Sequence, residues 1–111
     1  MIDFKKVKIV TFAPTENAEA IRQALGKAGA GQIGEYSYCS FSVRGTGRFK
    51  PSDLAKPHLG QKNEDNSVEE ERIEVVCNRA KAKAAIAAMK EVHPYEEVAF
   101  DIYPLVEEDQ L

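Results

Sequence analysis

A strand, a helix and a second strand follow one another in residues 71–103, which read ERIEVVCNRAKAKAAIAAMKEVHPYEEVAFDIY. Residues 71–77 alternate polar and apolar side chains, which is the pattern of a half-buried strand. Asn78 is a suitable helix N-cap, and the apolar residues after it recur at helical spacing. His93 precedes a proline and therefore ends this helix, since a residue before proline avoids the helical conformation. Residues 98–103 alternate again, which predicts the second strand.

The first half of the chain has the same order of elements. Residues 5–12 are rich in β-branched side chains and predict a strand. Apolar residues at spacings of three and four then predict a helix between Pro14 and Gly29. Residues 36–43 alternate as a second strand. Two such halves, each closing as a right-handed crossover, predict an α+β fold of the ferredoxin-like βαββαβ type, with an antiparallel sheet covered by helices on one face.

The connection between the second and third strands is the longest in the chain. Residues 44–68 are rich in glycine, proline, asparagine and charge and have no clear period. We expect a long mobile loop here, since such segments in compact domains are uncommon and often functional. The glutamates at residues 69–71 are expected to form a solvated edge where the third strand begins. The 111 residues are the size of one domain, and we expect a single domain over residues 1–111.

Composition and charge exclude several classes of protein. The chain has 18 acidic and 15 basic residues and a formal net charge of −3, so it lacks the basic footprint of a nucleic-acid-binding protein. No apolar run approaches the roughly 20 residues of a membrane span, and no secretory signal is recognisable at the N-terminus. The two cysteines are expected to be free thiols. We therefore expect a cytoplasmic protein that binds neither nucleic acid nor a membrane.

A basic segment that contains two glycines is the first candidate site. Residues 41–51 read FSVRGTGRFKP. The glycines let backbone amides approach a ligand, and the basic side chains supply charge to a carboxylate or phosphate. The alternative is a solvated loop tip between two strands. The candidate ligand-binding residues in this segment are Arg44, Gly45, Gly47, Arg48 and Lys50.

The sequence HPYEE at residues 93–97 is the second candidate site. A histidine beside carboxylates is a candidate metal ligand or general base, so a divalent metal held by His93 and Glu96 is the one cofactor considered. The alternative, which we favour, is a structural corner in which His93 caps helix carbonyls and Tyr95 fills an interface. Tyr95 is also a candidate ligand-binding residue. No residue is predicted to be catalytic, and no cofactor is required.

The face of the sheet without helices is predicted to be partly apolar. Strand alternation places Val10, Phe12, Tyr36, Tyr38 and Val76 on it. Exposed apolar area of this extent usually marks a contact surface. We therefore expect this face to pack against other copies of the chain in a closed ring.

Several strings in the same order resemble one family. They are GAGQIGEY at residues 29–36, CSF at 39–41, GTGRFKP at 45–51, ERIE at 71–74 and HPYEEVAFDIYPL at 93–105. Together they resemble the insertion domain of the NGG-interacting-factor-three-like proteins, the dinuclear-metal type-two GTP cyclohydrolase I homologues. The resemblance covers nearly the whole chain and implies a ferredoxin-like domain similar to CutA and PII signalling proteins, which typically form trimers.

The resemblance does not extend to the metal centre of that family. In the larger relatives this domain is inserted into a parent domain that holds two metal ions through histidines and carboxylates. With 111 residues and two histidines, this chain is too short to contain the parent, so neither a dinuclear site nor hydrolase activity is implied. The chain resembles a free-standing version of the insertion domain, and its long loop takes the place of the PII recognition loop.

Three functions follow as hypotheses. The one we favour is a non-enzymatic, trimeric binding or regulatory module for a small anionic ligand or a divalent metal. The second is an adaptor that assembles with a partner metalloprotein. The third is a small enzyme with a site between subunits, in which His93 acts as general base beside Glu96 or Glu97.

Overall fold

The computed structural model describes residues 3–111. Its elements are β1 (Lys6–Pro14), α1 (Ala18–Lys27), β2 (Phe41–Phe49), β3 (Asn66–Asn78), α2 (Arg79–Val92) and β4 (Phe100–Leu105), with 3-10 turns at Thr15–Asn17 and Glu108–Gln110. The four strands form one antiparallel sheet in the order β2-β3-β1-β4, so β2 and β4 are its edge strands. Both helices pack on the same face of the sheet. The predicted α+β ferredoxin-like sandwich is therefore confirmed.

The hydrophobic core lies between the sheet and the two helices. Val7 and Ile9 of β1 are opposite Cys77 and Val75 of β3, so alternate residues of both strands face the helices. Burying a side chain of this size contributes about 1.5–3 kcal/mol. The largest fully buried apolar side chains of this core are Ile9, Ile21, Leu25, Ile73 and Met89.

The two helices end where the sequence predicts. The chain leaves α1 through Gly29, whose φ of 99° lies in the left-handed region that glycine adopts without strain. α2 ends at Val92, and His93 takes an extended conformation before Pro94. Asn78 occupies the N-cap position of α2, although its side chain makes no capping hydrogen bond. No helix within residues 3–111 is both long and apolar enough to span a membrane.

The second strand is shifted along the chain from its predicted position. The sequence predicts a strand over residues 36–43, whereas β2 covers Phe41–Phe49. Before β2, the backbone groups of Ile33 and Tyr36 form two hydrogen bonds with each other, and Tyr38 has a φ of 58°. A left-handed residue interrupts an extended run, so the strand begins only after it.

The loop between β2 and β3 is shorter than predicted, because residues 44–49 and 66–68 belong to strands. The remaining residues, 50–65, are anchored by hydrogen bonds. The backbone N–H of Asn63 donates to the carbonyl of Pro51 at 2.6 Å. The backbone N–H of Lys56 donates to Glu96 Oε1 at 2.5 Å, which ties the loop to the corner after α2.

The face of the sheet without helices carries only part of the predicted apolar set. Val10, Phe12 and Val76 lie on it, as their register in the sheet shows. The prediction is wrong for Tyr36 and Tyr38, because both precede β2 and belong to no strand of the sheet. Tyr38 instead lies against α1, where its ring occupies the space that a side chain at Gly26 would need.

Charged side chains cover the centre of this face. Glu74 lies between Lys8 and Arg72, with nitrogen–oxygen distances of 3.2 and 3.1 Å. A hydrogen bond from Lys8 lowers the pKa of Glu74 most, and a hydrogen bond from Arg72 lowers it further. Val10, directly opposite Glu74 in the sheet, is fully buried. The large apolar side chains left exposed on this face lie on the edge strands: Phe41 and Val43 on β2 and Tyr103 on β4.

Candidate functional site

A cleft of about 400 Å³ opens at one end of the sheet. β1 and β2 end there and β3 and β4 begin there, because neighbouring strands run antiparallel. The loop of residues 50–65 lines one side, and the corner after α2 lines the other. A volume of this size suits a small molecule. The apolar lining consists of Phe12, Phe49, Pro51, Ala55, Pro57, Leu59 and Ala99.

A carboxylate and a tyrosine hydroxyl form the central polar pair of the cleft. The hydroxyl of Tyr95 donates to Glu70 Oε2 at 2.7 Å. Burial raises the pKa of Tyr95, and the hydrogen bond to Glu70 and the charge of Glu70 raise it further. Tyr95 is therefore a neutral donor at physiological pH. Among residues 3–111, the other carboxylate oxygen of Glu70, Oε1, has no hydrogen-bond partner.

Gly47 makes room for this pair. A Cβ atom at position 47 would overlap the carboxylate of Glu70, and Tyr95 holds that carboxylate in place. A side chain at position 47 would therefore displace the carboxylate of Glu70 from this position. Gly45 has open space at the corresponding position and no such constraint.

The two predicted site segments meet in the cleft. Arg44 and Gly45 lie earlier on β2 and do not line it. Arg48 and Lys50 line the cleft and are both exposed to solvent. The predicted residues that do line the cleft are Gly47, Arg48, Lys50, Tyr95 and Glu96.

His93 contacts two backbone groups in this arrangement. Its Nε2 lies 2.7 Å from the carbonyl oxygen of Phe12, and its Nδ1 accepts the backbone N–H of Tyr95 at 3.2 Å. A carbonyl only accepts and an amide only donates, so the ring is neutral with its proton on Nε2. Burial lowers the pKa of His93 below its ordinary value, which also favours this neutral form. The histidine thus joins the end of β1 to the corner that carries Tyr95.

The residues predicted to hold a metal do not fit a metal centre as arranged. Both ring nitrogens of His93 are engaged, and Glu96 accepts the N–H of Lys56. Within the part of the chain that the structure describes, no group of three or more His, Cys, Asp and Glu side chains lies close enough to hold an ion. The structural-corner alternative fits better, although His93 bonds a strand carbonyl and not the helix carbonyls predicted.

The sequence did not predict separate positions for Glu70 and Glu71. Both were expected at a solvated edge, but Glu71 is buried beneath α1 and Glu70 lines the cleft. The signal that separates them is strand alternation, because neighbouring residues of β3 point to opposite faces. Extending the period of Ile73 and Val75 back by one step places Glu71 on the buried face.

Comparison with known proteins reveals close relatives, although no family model matches the chain. Over 98 residues, 88% of this chain and 26% of the relative, it is 53% identical to the GTP cyclohydrolase 1 type 2 homolog of Bacillus subtilis. A Bacillus cereus protein related to NIF3 superposes with a TM-score of 0.81 and 43% identity, over 96% of this chain and 27% of that one. The periplasmic divalent cation tolerance protein CutA of Archaeoglobus fulgidus superposes with a TM-score of 0.68 at 17% identity, over 92% and 85% of the two chains.

These comparisons define the class of the protein first. Its fold is the CutA-like form of the ferredoxin-like domain. Within that class, the chain is related to one segment of the NIF3-related GTP cyclohydrolase 1 type 2 homologues, which confirms the resemblance found in the sequence. It spans about a quarter of the length of the relatives it matches.

Proposed function

We propose that this chain is a non-enzymatic binding module whose cleft takes a small ligand with an anionic group. The observation that carries the proposal is the placement of two basic residues, Arg48 and Lys50, at a cleft with an apolar wall, although Glu70, Glu96 and Glu97 also line it. Such a cleft holds the body of a ligand by burial and its charged group by charge-assisted hydrogen bonds. The activity of the longer relatives is not part of the proposal.

The state of His93 favours binding over catalysis. A general base needs a free nitrogen within reach of the proton it removes. Both nitrogens of His93 are engaged by backbone groups, and the ring is buried. This arrangement supports the binding module over the enzyme hypothesis, which depends on His93 as general base.

Replacing Arg48 with glutamine is expected to weaken the binding of an apolar carboxylate, such as 3-phenylpropionate, by about tenfold. One charge-assisted hydrogen bond is worth roughly 1.5 kcal/mol, which corresponds to that factor. Isothermal titration calorimetry measures the change. Arg44→Gln is the control for position. Arg44 belongs to the same basic segment but does not line the cleft, so its replacement should leave the affinity unchanged. Equal losses in the two variants, or no binding to the wild type, would refute the proposed anion site.

We further propose that the chain forms a homo-oligomer, a trimer, through the sheet face without helices. Phe41, Val43 and Tyr103 are 67%, 49% and 44% exposed on the edge strands of this face. Large exposed apolar side chains that share one face usually mark a contact surface. Edge strands also present unpaired backbone groups that a second copy satisfies.

Replacing Val43 with lysine is expected to convert the trimer to monomers, because it places a charge in the proposed interface. Native mass spectrometry at low micromolar concentration reports the subunit count. Thr46→Lys is the matched control, because Thr46 is exposed on the same strand but points to the opposite face. A monomeric wild type, or a trimer that persists in Val43→Lys, would contradict the proposal.

An assembly adaptor is the second candidate function. In the relatives, the equivalent segment is part of a chain about four times as long, so the same polypeptide also contains other segments. Recovery of a specific metalloprotein with the wild type but not with Val43→Lys would favour this function over a small-molecule module.

We also propose a cytoplasmic location, which agrees with the two free cysteines, Cys39 and Cys77. Cell fractionation tests this location.

A further inference from the structure

We propose that the ligand of the cleft is a zwitterion, an apolar α-amino acid or a molecule of the same charge pattern. Its carboxylate would meet Arg48 and Lys50, its ammonium would meet Glu70, and its side chain would lie on the apolar lining. The carboxylate half of this inference rests on the anion site proposed above. The ammonium half rests on Glu70.

Within residues 3–111, Glu70 has no cationic partner. Its Oε2 accepts the hydroxyl of Tyr95, a neutral donor, while its Oε1 has no hydrogen-bond partner among residues 3–111. Glu70 forms no ion pair within that range, in contrast to Glu71 and Glu74 on the same strand. A half-buried carboxylate beside apolar side chains is stabilised by a cation that shares its site. A ligand ammonium is such a cation.

The carboxylate of Glu70 is held ready for this contact. Tyr95 fixes one oxygen, and His93 in turn holds the backbone of Tyr95. The absence of a side chain at Gly47 leaves the space that the second oxygen occupies. Preorganised groups of this kind favour binding, because less conformational entropy is lost when the ligand arrives.

Charge complementarity then selects the class of ligand. Arg48 and Lys50 are the basic residues that line the cleft, and Glu70 is the half-buried carboxylate among its walls, while the other two carboxylates there, Glu96 and Glu97, are exposed. A purely anionic ligand leaves Glu70 without a cationic partner, and a purely cationic one leaves the basic pair without an anionic partner. A molecule with both charges and an apolar body satisfies all three features.

Three probes separate the two charges. L-Phenylalanine carries both, 3-phenylpropionate lacks the ammonium, and 2-phenylethylamine lacks the carboxylate. By isothermal titration calorimetry, we expect phenylalanine to bind at least about tenfold more tightly than either analogue, the factor for one charge-assisted contact. Glu70→Gln should reduce phenylalanine to the affinity of 3-phenylpropionate. Glu69→Gln is the matched control, since Glu69 is exposed next to it and does not line the cleft.

The outcomes distinguish this inference from the proposed function. If 3-phenylpropionate binds as tightly as phenylalanine, the zwitterion is wrong and the anion site stands. If neither phenylalanine nor 3-phenylpropionate binds, the zwitterion inference and the anion site are both wrong. Should Glu70→Gln fold poorly, NMR of the wild type gives a second readout. Phenylalanine, and not 3-phenylpropionate, should shift the side-chain carboxyl signal of Glu70, and equal shifts would overturn the inference.

Discussion

Replacing Arg22 with methionine is expected to lower the free energy of unfolding by about 2 kcal/mol, between the values for exposed and for buried ion pairs, because Glu71 is buried while Arg22 is partly exposed. Nη1 of Arg22 on α1 lies 2.6 Å from Glu71 Oε1 on β3 and 3.1 Å from the hydroxyl of Ser42 on β2. Glu71 is buried and has no other cation within 4 Å among residues 3–111. Removing Arg22 therefore leaves a buried carboxylate without its partner.

The hydrogen bond and charge of Glu71 also raise the pKa of Arg22, against the opposing effect of burial. Urea denaturation measures the loss of stability. Glu19→Gln is the control on the same arginine, because Glu19 contacts it at 3.4 Å but is largely exposed. Its replacement should cost about 0–1 kcal/mol. Replacing Arg22 and Glu71 together by methionine and leucine should restore most of the lost stability, since a buried pair is often matched by apolar residues. Equal costs for Arg22→Met and Glu19→Gln would contradict this account of the pair.

Acidification from pH 7 to about pH 5.5 is expected to destabilise the fold through His93. Burial lowers the pKa of His93 in the folded state, while the unfolded chain binds the proton near pH 6.5. The unfolded state therefore holds more protons below that pH, and stability falls as the pH drops from about 6.5 towards the folded-state pKa. The slope from one proton reaches about 1.4 kcal/mol per pH unit. Protonation at Nδ1 would also break the hydrogen bond with the N–H of Tyr95.

Urea midpoints measured across this range test the prediction. His93→Gln should remove most of the slope, because an amide offers a donor and an acceptor without titrating. His58→Gln should retain the slope, since His58 is the other histidine in the sequence and is exposed. A wild type whose His93 titrates at or above pH 6.5 by NMR would show that the expected sign is wrong.

The candidate site could be predicted only in part. Arg48, Lys50 and Tyr95, which line the cleft, could be proposed from the sequence because their contexts, a basic glycine segment and HPYEE, are local signals. Glu70 was not, because its role depends on Tyr95, which lies 25 positions further along the chain. His93 was placed correctly at a helix end, but its partner, the carbonyl of Phe12, lies 81 positions away. Contacts across such separations leave no periodic trace in the sequence.

The sequence by itself determined the order of strands and helices, because side-chain periodicity and helix ends are local properties. Tertiary structure decided how far β2 extends. Glycine weakens a strand, yet Gly45 and Gly47 pair with Glu70 and Val68 of β3, and this pairing overrides the local preference. That ladder carries β2 through to Phe49. The cleft follows from it, because the four strand ends meet only when the whole sheet is assembled.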